Sequence, residues 1–179
     1  IADNGQLLKV SKLILPGVGA FDWAMECLNQ SGMREALDEL VMEKNIPVLG
    51  ICVGMQLMAK NSEEGNSSGL GWINAEVKKF HTEKINDIQI PHMGWNTIKK
   101  LKEHHLTHGL EDKKHLYFVH SFYAPVSEHT VAECNYITPF SAVVAKDNFM
   151  GVQFHPEKSG SIGSKVLQNF LDLVYSQEK

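Results

Sequence analysis

At 179 residues, with 43% hydrophobic and 21% charged side chains, the chain has the size and make-up of one globular domain spanning residues 1–179. A formal charge of −4 provides no electrostatic surface for nucleic acid, and no apolar run reaches the roughly 20 residues that a bilayer crossing needs. Three scattered cysteines, Cys27, Cys52 and Cys134, cannot build a disulfide framework, so a reduced, cytoplasmic setting is expected.

Ile1 to Asn4 reads as the tail of a strand or the loop after it. Lys12-Leu13-Ile14-Leu15 is a short apolar strand that ends in Pro16-Gly17-Val18-Gly19, a turn that exposes backbone. Phe21, Met25 and Leu28 recur at helical spacing, and Cys27 beside them is expected as a packed thiol. A second helix is predicted after Gly32, with Met33, Leu37, Leu40 and Val41 as its stripe and an end near Asn45. Ile46-Pro47-Val48-Leu49 then leads into Gly50-Ile51-Cys52-Val53-Gly54, which Met55 to Lys60 leaves with helical character.

A polar loop follows over residues 61–69. From Leu70 to Tyr136 the pattern becomes short β-runs: Glu76–Phe80, Ile88–Ile90, Leu116–Val119 and Val131–Cys134. Ser141–Ala145 and Phe149–Phe154 form a strand pair about a turn at Lys146-Asp147-Asn148. Gly163 to Tyr175 is a helix with Val166, Leu167, Phe170, Leu171 and Val174 inward. Strand–helix alternation at both ends, with antiparallel strands between, predicts a three-layer α/β domain.

Small residues on both sides of Cys52 suit a crowded strand-to-helix elbow that presents a nucleophile. The adjoining helix N-terminus is expected to favour thiolate over thiol. A buried structural cysteine with chance glycines is the bland alternative. Further along, Phe154-His155-Pro156-Glu157 places a histidine and an acid two positions apart, where extended side chains share a direction. His155 could then take the thiol proton while Glu157 fixes its tautomer, with Pro156 stiffening the backbone between them. Donors for an oxyanion are available in the N–H of Val53 and, in the glycine-flanked turn, of Val18. His92 and His120 read as structural hydrogen-bonders. His104, His105 and His108 lack acid or thiol ligands at a metal-binding spacing, so no metal site is expected.

In chain order, Pro16-Gly17-Val18-Gly19-Ala20-Phe21, Gly50-Ile51-Cys52-Val53-Gly54-Met55-Gln56-Leu57 and Phe154-His155-Pro156-Glu157-Lys158-Ser159 resemble the triad-type class I glutamine amidotransferases. Ser62-Glu63-Glu64-Gly65, Gly69-Leu70-Gly71, Pro91-His92-Met93-Gly94-Trp95-Asn96 and Tyr117-Phe118-Val119-His120-Ser121 narrow the likeness to the glutaminase subunits of imidazole glycerol phosphate synthases. The similarity runs from about Leu13 to Leu173.

The resemblance implies a three-layer α/β/α class I amidotransferase domain with a Cys52, His155, Glu157 triad and an oxyanion hole at Val18 and Val53. It further implies glutamine contacts at Gly19, Gln56, Ser121 and Phe122, no cofactor and no metal. Trp95, Asn96, Tyr117 and Lys158 match positions at the interface with a (β/α)8 cyclase, a heterodimer partner that receives the ammonia. Trp95 capping a core, Gln56 facing solvent and Lys158 as a plain solvated charge are the competing readings. Two departures stand out. The family's first strand, glycine turn and helix are expected ahead of the strand at Leu13, so either residues upstream of Ile1 supply them or the domain lacks its first βα unit, and Phe122 stands where tyrosine is common. Other functions remain open on these residues: ammonia supply for sugar amidination in polysaccharide synthesis, a free-standing cysteine hydrolase, or a binding module. A channelled glutaminase is further expected to idle until its partner binds, with the Pro16–Gly19 peptide as the switch.

Overall fold

The computed structural model describes residue 7 and residues 10–81, 88–111 and 114–173. It begins with strand β1 (Leu13–Gly17), helix α1 (Phe21–Gln30) and the short helix α2 (Arg34–Asp38). Strand β2 (Val48–Cys52) runs directly into helix α3 (Val53–Leu57). Next come β3 (Asn61–Ser62), β4 (Glu76–Lys79), β5 (His92–Lys100), β6 (His115–His120) and β7 (Phe122–Tyr123). The chain closes with β8 (Thr130–Asn135), β9 (Pro139–Lys146), β10 (Phe149–Val152) and helix α4 (Gly160–Asp172).

Seven strands form one sheet in the order β1-β2-β10-β9-β8-β5-β6, and β3-β4-β7 make a small second sheet. β2 pairs in parallel with both β1 and β10, while the strands beyond β10 run antiparallel to their neighbours. Neighbouring residues of β2 feed opposite faces, as the two-residue strand period requires. Val48 packs with Phe21, Met25, Leu40 and Met55, whereas Leu49 packs with Phe118, Phe140, Phe154 and Phe170. Helices α1 to α3 cover the first face and α4 the second, which makes three layers. No helix among the described residues is long and apolar enough to cross a membrane.

Several local expectations need correction. The helix predicted after Gly32 stops at Asp38 and continues as a π turn over Glu39–Glu43. Lys44 N–H donates to Glu39 O there, and the wide turn sends both Leu40 and Val41 into the core. Helix α3 begins at Val53, earlier than the apolar spacing suggested, and ends at Leu57. Residues 88–90 form no strand, and β10 ends at Val152 rather than Phe154. Cys27 is exposed, on the outer side of α1, so it is not a packed thiol. Val174, Tyr175 and the segment from Ile1 to Asn4 lie outside the described residues.

The elbow needs both of its glycines for contact reasons. A Cβ on Gly50 would come 2.6 Å from the backbone of Met55, and one on Gly54 would collide with the carbonyl of Leu15 on the neighbouring strand. Hydrogen-sized residues at these two points let α3 fold back against β1 and β2. That close approach fixes where Cys52 emerges.

Candidate active site

Cys52 ends β2 with φ 53° and ψ −112°, a backbone state that non-glycine residues rarely adopt. Such a residue stores on the order of 1–3 kcal/mol, tolerated only where its surroundings hold it. The Val53 N–H points at the sulfur, the Gln153 side-chain Nε2 lies 3.7 Å from it, and the thiol faces Val119 O at 3.9 Å. Burial pushes the Cys52 thiol up to about 11, and the Val53 N–H pulls it back down. The charge of Glu157 raises it further, the Gln153 hydrogen bond lowers it, and Glu64 raises it. The resting group is therefore a thiol, not the thiolate expected from a helix N-terminus. A helix of five residues supplies too weak a dipole to offset removal from water.

His155 and Glu157 are brought together differently from the expectation. The strand has already ended, and Pro156 opens a 3-10 turn over Pro156–Lys158 that curls Glu157 back. His155 Nδ1 meets Glu157 Oε1 at 2.7 Å. The carboxylate can only accept, so Nδ1 carries the proton and Nε2 presents its lone pair. That Nε2 is buried and has no hydrogen-bond partner among the described residues. The turn is braced from β6: His155 N–H donates to Tyr117 O at 2.8 Å, and the Ser159 hydroxyl donates to His155 O at 2.6 Å while accepting from Tyr117 N–H at 3.0 Å.

A cavity of about 290 Å³ opens between these elements. Cys52, Val53 and His155 border it, as do Val18, Gly19, Gln56, Ser121 and Phe122. Every residue predicted for the triad's thiol and base, the oxyanion and the substrate thus reaches one space, and Glu157 reaches it through His155. Val18 is exposed and Gly19 takes φ +91°, so the turn projects its backbone toward the cavity mouth. Gln56 is 3% exposed, which rules out the solvent-facing reading. Its amide donates to Phe122 O at 2.9 Å and to Gln153 Oε1 at 3.0 Å.

Trp95, Asn96 and Tyr117 lie outside the cavity. Trp95 is 56% exposed and pairs in register with Tyr117, their rings 5.7 Å apart, so it caps no core. Lys158 Nζ sits 5.5 Å over the Tyr117 ring and also borders the cavity. Trp95, Tyr117 and Lys158 form a strip from one face of β5 to the cavity, whereas Asn96 turns to the other face, opposite buried Leu116 and 3.3 Å from His92 Nε2. His104 accepts from Leu106 N–H at 3.1 Å as a local cap, and no group of metal-ligand side chains is found among the described residues.

Two residues escaped the sequence reading. Gln153 is fully buried beside the sulfur, a polar residue inside an apolar run whose only signal was that oddity. Glu64 borders the cavity and accepts from Phe21 N–H at 2.9 Å, which anchors the end of the Pro16–Ala20 turn. Asp22 holds the same loop by accepting from Asn66 and Ser67 N–H groups, and these bonds keep its carboxyl below the usual range.

The burial of Cys52 has a measurable consequence. At pH 8, iodoacetamide should modify exposed Cys27 and leave Cys52 largely intact, read by peptide mass spectrometry. The Cys52 rate should climb about tenfold per pH unit toward pH 11, because thiolate is the reactive form. Equal labelling of the two at pH 8 would contradict a buried, protonated thiol.

Comparison with known proteins agrees with this geometry. The glutamine amidotransferase class-I family model matches residues 6–174. A crystal structure of a glutamine amidotransferase aligns with a TM-score of 0.70 at 18% identity, covering 96% of this chain and 82% of that one, which shows a shared fold. Imidazole glycerol phosphate synthase subunit HisH of Bacteroides fragilis is 49% identical over 172 residues, 96% of this chain and 85% of that protein. The same subunit of Leptospira interrogans is 45% identical over 171 residues, 94% of this chain and 84% of that protein. The chain belongs to the class I glutamine amidotransferases and, within them, to the HisH subunits of imidazole glycerol phosphate synthase.

Proposed function

We propose that this chain is the glutaminase that feeds ammonia to a (β/α)8 cyclase making imidazole glycerol phosphate and AICAR in histidine biosynthesis. The observation that carries the reading is the open, buried Nε2 of His155, tautomer-locked by Glu157, bordering the same cavity as the strained Cys52.

Glutamine lies with its side-chain amide over Cys52 and its α-carboxylate and α-amino groups at Ser121 and Phe122, with Gly19 and Gln56 beside it. As Sγ attacks the amide carbon, His155 Nε2 takes the thiol proton, and Glu157 stabilises the imidazolium. The oxyanion is received by the N–H groups of Val53 and Val18. His155 then gives its proton to the departing nitrogen, leaving ammonia and a γ-glutamyl thioester. Water attacks the thioester as His155 accepts its proton, and that proton returns to sulfur when glutamate leaves. The chemistry needs no cofactor or metal.

The Trp95, Tyr117 and Lys158 strip faces the cyclase in a cytoplasmic heterodimer, with Asn96 on the same interface strand. A thiol aimed at Val119 O rather than at His155 supports low basal turnover, relieved when the partner binds and the Pro16–Gly19 peptide rotates to complete the oxyanion hole. Glutamate release should therefore be slow for the complete protein alone and rise at least about a hundredfold with its cyclase, the size expected from gaining oxyanion donors. No release with the cyclase present would overturn the assignment, and equal release without it would overturn the switch.

A further inference from the structure

Two buried histidines have no part in this chemistry, yet they connect strand β5 to the cavity wall. His92 and His120 face each other across β5 and β6, with His92 Nδ1 and His120 Nε2 3.1 Å apart. His92 Nε2 lies 3.3 Å from Asn96 Nδ2, and His120 Nδ1 lies 2.9 Å from Phe122 O. The rings are held by aromatic neighbours: His92 stacks on Phe118 at 4.9 Å and Tyr136 at 4.0 Å, and His120 meets Phe140 edge-on at 5.0 Å.

Both ends dictate the same proton arrangement. Asn96 Oδ1 accepts from Thr97 N–H at 2.8 Å, and its Nδ2 donates to Asn135 O at 3.1 Å. The amide therefore presents a hydrogen to His92 Nε2, which must accept. At the far end the Phe122 carbonyl also must accept, so His120 carries its proton on Nδ1. His92 then donates from Nδ1 into His120 Nε2, and every bond points toward the cavity. Burial holds His92 down to about 4 and His120 to about 3, so neither acceptor nitrogen is protonated at neutral pH.

We propose that Asn96, His92 and His120 form a one-way hydrogen-bond relay that sets the Ser121–Phe122 wall of the glutamine pocket from the partner-facing strand β5. The proposal rests on the glutaminase reading above. The histidines are positioning residues: they act through Phe122 O, which also receives the Gln56 amide. An amide on the strand that carries Trp95, on its inner face, is thereby coupled to substrate affinity, a route separate from the oxyanion turn.

The test has a spectroscopic arm and a kinetic arm. Nitrogen-15 histidine NMR of the complete protein should show both rings protonated on Nδ1, and Nε2–H on either ring would overturn the relay. Asn96→Asp puts an acceptor where the donor was and should add a proton at His92 Nε2 while Nδ1–H is kept for His120; an Nε2 left without a proton would also overturn it. In the cyclase complex at saturating partner, His92→Phe keeps the ring stack but removes both hydrogen bonds. It should raise KM for glutamine about fivefold to tenfold, the worth of a lost hydrogen bond, with kcat within about twofold. His92→Asn, which keeps a donor near the Nδ1 position, should recover most of that loss. Unchanged KM, or a fall in kcat alone, would reduce the pair to a structural role. If the complex released no glutamate, the functional reading would fail while the tautomers still judged the relay.

Discussion

Replacing Cys52 with alanine should cut glutamate release by the cyclase-bound protein about 10⁴-fold or more, the scale seen when a covalent nucleophile is removed. No neighbouring group can substitute. Cys27 is exposed on α1, and Cys134 is buried in β8 with its own thiol pushed up to about 12. Ammonia added directly to the complex should still be cyclised, because only its source has been removed. Labelling by a glutamine-analogue electrophile should vanish from the variant. The thermal midpoint should hardly move, since alanine occupies the same strained φ with less bulk, and this separates lost chemistry from lost fold. Residual release above about one part in a hundred would mean that oxyanion binding and water alone carry the reaction, contrary to a thioester route.

The chemistry was more legible in the chain than the packing around it. Gly50 and Gly54 announce the elbow because contacts at both points exclude any Cβ, and a constraint that local survives as a local pattern. His155 and Glu157 were legible as a pair, but not the 3-10 turn that joins them, since Pro156 suits an extended strand end and a helical first turn equally well. The state of Cys52 is hidden from the sequence for a different reason. Sequence shows the helix start, whereas the dominant effect is burial contributed by β6, β10 and the cavity walls, which are distant in the chain. Gln153 is a lone polar residue in an apolar run, and only the folded chain shows that it is buried beside the sulfur of Cys52. The π turn at Glu39–Glu43 answers to core volume and leaves no periodic mark.

Acid should destabilise the protein through the same two histidines that form the relay. Folded His92 and His120 resist protonation down to about 4 and about 3, both chiefly because of burial. His120 gains a little back from the Phe122 carbonyl and is held down further by His92 and His155. An unfolded chain protonates both near 6.5. Below that pH the unfolded state binds more protons, so the stability these groups contribute is complete above 6.5 and is lost as pH falls toward 4 and 3. For the pair the loss should set in below pH 6.5 and deepen steadily through pH 4.5. Asp22 and Glu63, whose carboxyls are held low by backbone N–H bonds, act in a lower window, below their ordinary values of 3.8 and 4.5. The histidine loss therefore begins near 6.5, above the carboxylate one, and the two overlap below 4.5. Urea midpoints at pH 7, 5.5 and 4.5 should fall stepwise in the native chain and less steeply in His92→Phe, which leaves only His120 of the pair to charge. A flat midpoint across that range would mean that the rings accept protons while folded. In that case the relay would lose its direction as pH falls through about 6.5, and below that pH the wall of the glutamine pocket would need another support.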